Sequence, residues 1–211
     1  MINQLPTALD LFAIAIGGLF GASVAIQRKT PIVGVMFIGV LMALGGGIIR
    51  DLLLQVEIVA MHDLWYIPVA VAGAMFGLSL ARTIVEKSFI GLLLDGLMLG
   101  LYVVVGTQKA LLLGFPAGPS ILVGVLTGIG GGTLVDVLVG KQPVVLRDGP
   151  WFATAAIIGA VGITILYPYV NPDVLAVVSI CAIATLRITS VKFGFDAPST
   201  ETLKKVKRKK A

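Results

Sequence analysis

Charge is what this chain has least of. Only 13% of its 211 residues are Asp, Glu, Lys or Arg and 57% are hydrophobic, whereas soluble domains carry about 25% charge. The charges gather in short clusters between long apolar runs, which excludes a soluble globular domain and gives an all-α polytopic membrane protein. Cysteine is almost missing. Cys181 alone rules out an internal disulfide and a cysteine-based metal site, and in a late apolar run it reads as a small packed core residue. The sole histidine, His62, stands in a loop beside Asp63. Without a second histidine or cysteine nearby it reads as a solvated loop residue, or at most a weak pH sensor, and no metal site is expected. No nucleophile–base pair falls at plausible depth, so neither an enzyme nor a bound cofactor is expected, and no nucleic-acid partner. The opening MINQLPTALD lacks a basic n-region and a small-residue cleavage site, so the first apolar run is expected to be a retained span.

Glycine, in contrast, is plentiful, and its arrangement organises the chain. Gly45-Gly46-Gly47 lies inside PIVGVMFIGVLMALGGGIIRDLLL, and Gly130-Gly131-Gly132 lies 85 residues later inside PAGPSILVGVLTGIGGGTLVDVLV. The same offset carries Asp10 onto Asp95, Gly21 onto Gly106, Pro31 onto Pro116, Asp51 onto Asp136 and Asp63 onto Asp148. Between Pro31 and Leu53, nine of 23 positions are identical at that spacing, which marks an internal duplication.

At about 20 apolar residues per crossing the sequence predicts seven transmembrane helices, near 7–26, 31–54, 65–81, 89–108, 116–139, 151–167 and 174–189. They lie in one transmembrane domain (1–190), with repeat one over about 7–82, repeat two over about 89–168, an unpartnered seventh helix, and a basic tail over 191–211. Three crossings per repeat turn the second copy over, so the prediction is two inverted three-helix repeats plus a last helix. Arg28, Lys29, Arg82, Lys87, Lys141, Arg147 and the tail (Lys204, Lys205, Lys207, Arg208, Lys209, Lys210) share one side. Glu57, Asp63 and Asp173 lie on the other, with Lys109 the main basic exception. This places the N-terminus outside and the tail in the cytoplasm, where it acts as a topology anchor or meets anionic lipid heads. Trp65, Tyr66, Trp151, Tyr167 and Tyr169 at span ends read as an aromatic belt.

Three glycines in a helix cost about 1 kcal/mol each against alanine, and doing so twice at matched positions is expected to interrupt the second and fifth spans. Breaks there would line a pathway, although small residues also serve close helix packing. The half-helices starting at Ile48 and Thr133 would offer partial positive charge and the ends at Leu44 and Ile129 carbonyls, so the backbone leaves the sign of a permeant species open. Among membrane-embedded ionisable groups, Arg50 is expected to pair with Asp10 or Asp51. The arginine position of repeat two is Val135, so Asp95 and Asp136 are expected to lack an internal cation, biasing the path toward cations. Gln108 and Lys109 fall near the outer end of the fourth span. Lys109 snorkels to the interface or enters the vestibule and senses voltage. Ser23, Thr107 and Thr127 are either polar lining or interhelical donors.

The motifs GGGIIRDLLL and GGGTLVDVLVGKQPVVLRDGPWFATAA, with DGLMLGLYVVVGTQKALLLGFP leading the second repeat, resemble the prokaryotic trimeric intracellular cation (TRIC) channel family and its bacterial relatives known as glycine transporters. The resemblance covers all seven spans. It implies a homotrimer with one pore per protomer, kinked at Gly45–Gly47 and Gly130–Gly132, conducting monovalent cations, chiefly potassium, in a prokaryotic plasma membrane. It makes Arg50, Asp51 and Asp136 the motif ions. Val135 departs from the pattern, since many bacterial relatives repeat the arginine. The favoured function is a cation channel with acidic vestibules passing potassium or sodium. The alternative is a secondary transporter of glycine or a similar small zwitterion. No carbonyl-ring filter motif is visible.

Overall fold

In the computed structural model, residues 5–28, 30–80 and 89–196 are described. Lys29, Arg82, Lys87 and the tail lysines and arginine over 204–210 lie outside them. Among the described residues the chain is all-helical: α1 (Leu5–Gln27), α2 (Ile32–Leu53), a one-turn α3 (Val59–His62), α4 (Tyr66–Leu80), α5 (Phe89–Leu112), α6 (Ala117–Leu138), a short 3-10 turn (Val144–Leu146), α7 (Ala153–Leu166) and α8 (Pro172–Phe193). Five of these, α1, α2, α5, α6 and α8, are long and apolar enough to cross a membrane, while α4 and α7 are shorter apolar helices. A helix is the expected form for such runs, because lipid offers no partners for free backbone groups. Large apolar side chains such as Val33, Phe37 and Leu122 point outward, as a lipid-facing surface requires. The chain is a multi-pass membrane protein.

The duplication survives in the fold. Moving α2 by 85 residues gives the bounds of α6, and the turn at α3 falls on the 3-10 turn. The carboxylate of Asp51 accepts from Val59 N at 3.1 Å, and that of Asp136 accepts from Val144 N at 3.1 Å. α1, α2 and α4 pack together as one group, α5, α6 and α7 as another, and the groups meet chiefly through α2 against α6, with α8 laid on α5 and α7.

The expected interruption at the glycines is not found. α2 and α6 run unbroken through Gly45–Gly47 and Gly130–Gly132. The magnitudes explain why. Three glycines cost a helix about 3 kcal/mol, but one unpaired backbone group in an apolar medium costs several kcal/mol, and a break frees several. The glycines act on the crossing instead. A Cβ at Gly131 would sit 2.6 Å from the Met42 carbonyl oxygen, and one at Gly46 closer still to the Thr127 carbonyl oxygen. A Cβ at Gly45 would meet Leu134 at 3.1 Å and one at Gly130 would meet Ile49 at 2.6 Å. Each contact is its partner with the two halves exchanged, so the crossing has an approximate two-fold relation.

Candidate functional site

Polar side chains collect at the two ends of this crossing. At one end α1 supplies Asp10, α2 supplies Arg50 and Asp51, α4 supplies Tyr66 and α5 supplies Lys109. Arg50 is 1% exposed and bridges both acids, with Nη1 3.0 Å from Asp10 Oδ2 and Nε donating to Asp51 Oδ1 at 2.7 Å. Lys109 Nζ reaches the same Asp51 Oδ1 at 2.7 Å, and the Tyr66 hydroxyl donates to Asp10 Oδ2 at 2.9 Å. Two acids and two bases cancel, which is the condition under which buried charge is tolerated. Arg50 thus pairs with both acids that the sequence offered it. Lys109 turns its amine to a carboxylate. Tyr66, expected in the aromatic belt, is 3% exposed and serves as an internal donor. Gln108 donates to the Pro172 carbonyl at 3.0 Å and ties α5 to the start of α8.

The other end corrects the expectation of unpaired acids. Val135 fills the place of Arg50, 2% exposed, yet neither Asp95 nor Asp136 lacks a cation. Arg187 Nε on α8 donates to Asp95 Oδ2 at 2.8 Å, and Arg28 Nη2, at the end of α1, to Asp136 Oδ1 at 3.2 Å. Arg147 Nη2 stands 3.7 Å from Asp136 Oδ2. The acids are duplicated and their cations are not. Arg187 also donates to the carbonyls of Pro150 and Trp151 at 3.3 Å and lies 5.0 Å over the Phe152 ring, so it fastens α8 to the start of α7. Sequence reasoning missed it. A lone arginine in the apolar run ICAIATLRITS was the available signal, but it lies outside the repeat.

A cavity of about 640 Å³ opens at this end. Asp95 and Asp136 line it, and so do Arg28, Arg147, Arg187 and two lysines, Lys141 and Lys192, so its formal charge is positive. The idea of excess negative charge here is overturned. Nε and Nη1 of Arg28 are buried and without a hydrogen-bond partner among the described residues. Gly132 and Met42 form part of the lining, so the cavity reaches the crossing.

Two further expectations change. Ser23, Thr107 and Thr127 donate to carbonyls of their own helices (Phe20, Val103 and Val123, at 2.7, 2.8 and 2.6 Å), so none bridges helices; Ser23 does line the cavity. Cys181 is exposed on α8 and not in the core, because α8 packs through only one face, on α5 and α7. His62 is exposed, 3.9 Å from Glu57. No cluster of metal-ligating side chains occurs among the described residues.

The model of one protein family, described as glycine transporter, matches residues 7–82 and 92–168, the two repeats. The chain belongs to that family. The inner membrane protein YadS of Escherichia coli (strain K12) is 30% identical over 197 residues, covering 90% of this chain and 94% of YadS. The chain shares its fold with solved TRIC channels. The TRIC orthologue from Rhodobacter sphaeroides aligns with a TM-score of 0.80 at 28% identity, over 90% of this chain and 99% of that one. A prokaryotic TRIC channel crystallised in 0.5 M KCl aligns at 0.81 and 26%, over 90% and 97%.

Proposed function

We propose that this glycine transporter family member is a passive channel for monovalent cations, chiefly potassium with sodium as the competing ion, assembled as a homotrimer with one pathway in each protomer. The observation that carries this is the fold match to solved TRIC cation channels over nine-tenths of the chain. In this reading seven helices cross a bacterial plasma membrane in one domain (1–190), as two inverted three-helix repeats plus α8. The N-terminus is outside and the basic tail (191–211) is in the cytoplasm, within reach of anionic lipid heads. The exchanged contacts at the α2–α6 crossing support the inversion, because three crossings per repeat turn the second copy over.

The pathway runs from the cytoplasmic cavity, past the crossing, to the Asp10–Arg50–Asp51–Lys109 cluster on the outer side. Its acids attract cations only when their own cations let go. Arg28, held to Asp136 by a single nitrogen, is the partner an entering ion displaces with least loss. Neither a cofactor nor catalysis has a part in it. Purified protein in a planar bilayer is expected to give unitary currents that rise with potassium concentration and reverse near the potassium potential.

A second reading, transport of glycine or a similar zwitterion, draws support from the family's description and from the cavity, where carboxylates and guanidinium N–H groups without a partner among the described residues stand within one space. Silent bilayers together with saturable glycine uptake into liposomes would favour it.

A further inference from the structure

Tyr102 on α5 breaks the internal symmetry. Its counterpart 85 residues earlier is Gly17 on α1, and the two positions face each other: a Cβ added at Gly17 would sit 2.6 Å from the Tyr102 hydroxyl oxygen. The absence of a side chain in one repeat makes the room that the tyrosine of the other fills. Tyr102 is 3% exposed, and its hydroxyl donates to the Ala43 carbonyl on α2 at 2.5 Å, two residues before the glycine triplet. A Cβ at Gly46 would meet its ring at 3.3 Å.

The space around the ring tells what it blocks. Met42, Met98 and Gly132 line the large cavity. The same three residues, with Gly46, Tyr102 and Thr127, line a further void that has no room for a water molecule. Tyr102 is therefore the wall between the cavity and the buried packing of Gly17 and Ala43, on the two helices that carry Asp10 and Arg50 to the opposite cluster.

We propose that Tyr102 is the side chain that closes the pathway, held shut by its bond to the Ala43 carbonyl; as a pore-closing role this rests on the channel reading above. A hydroxyl–carbonyl bond contributes modestly to the equilibrium and a ring fills the gap sterically, so the two parts of the residue separate in experiment. In planar bilayers Tyr102→Phe is expected to raise open probability roughly fivefold, the effect of one lost hydrogen bond. Tyr102→Ala is expected to raise it further and to increase unitary conductance.

A second measurement needs no current. With Cys181→Ser as background, Thr127→Cys puts a thiol beside the dry void. Its reaction with a cationic, membrane-impermeant methanethiosulfonate is expected to be at least about tenfold faster when Tyr102→Ala is added, at unchanged monodispersity. If wild-type protein conducts while neither variant alters open probability, conductance or thiol reactivity, the assignment is wrong and the channel reading stands. Silent bilayers for every variant, with the thiol still unmasked by Tyr102→Ala, would refute the channel and keep Tyr102 as the barrier between the two spaces.

Discussion

Replacing Arg50 by valine gives repeat one the residue that repeat two already has, and the structure says the exchange should fail. Arg50 lies 3.0 Å from Asp10 Oδ2 and 2.7 Å from Asp51 Oδ1. At an effective dielectric near 20 each contact is worth roughly 5 kcal/mol of attraction, most of it offset by the cost of holding three charges away from water. What remains after removal decides the outcome. Asp51 keeps Lys109 and the Val59 amide, but among the described residues Asp10 keeps only the Tyr66 hydroxyl. No other cation among the described residues reaches Asp10 as Arg187 reaches Asp95. Arg50→Val should therefore destabilise by about 3–5 kcal/mol, the usual result of stranding a buried charge. Adding Asp10→Asn should recover about half of that, because the stranded charge is gone. The assay is a double-mutant cycle on unfolding in mixed micelles, read by tryptophan fluorescence. An Arg50→Val loss below about 1 kcal/mol, or strict additivity of the two substitutions, would refute the account of Arg50 as the shared cation.

The glycine triplets supply a test by sign. Gly46→Ala and Gly131→Ala should each destabilise by about 1–3 kcal/mol through carbonyl clashes, while Gly47→Ala and Gly132→Ala, whose nearest neighbours are Arg50 Nη2 and the Met42 methyl at an ordinary van der Waals 3.8 and 3.6 Å, should stabilise by up to about 1 kcal/mol; thermal unfolding in detergent distinguishes them. Arg187→Gln should loosen α8 by about 3 kcal/mol, visible as faster hydrogen exchange at the start of α7, and Asp95→Asn should partly restore it. Lys109→Met removes one charged bond from Asp51 and should destabilise by about 1.5–3 kcal/mol in the same micelle assay, less than Arg50→Val, because Asp51 keeps its other partners.

Much of this arrangement was legible in the residues. Matching Asp51 to Asp136 and Pro31 to Pro116 located α2 and α6, and the run GGGIIRD placed Arg50 beside the acids it holds. What stayed hidden has two physical sources. Repeat comparison looks for a cation where the other copy has one, at 135, whereas Arg28 comes from the other half and Arg187 from a helix with no counterpart. The glycines misled for another reason: helix propensity counts a local cost, and the larger cost, of freed backbone in an apolar medium, belongs to the surroundings. Tyr66 shows the same limit, since a tyrosine at a span end fits an interfacial belt and an internal donor equally well until its neighbours are known.

The crossing of α2 and α6 is keyed by main chain, with carbonyls seated where side chains would normally keep helices apart. Main chain has no rotamers to change, so this joint behaves as a fulcrum: it permits tilt and forbids slippage by a turn.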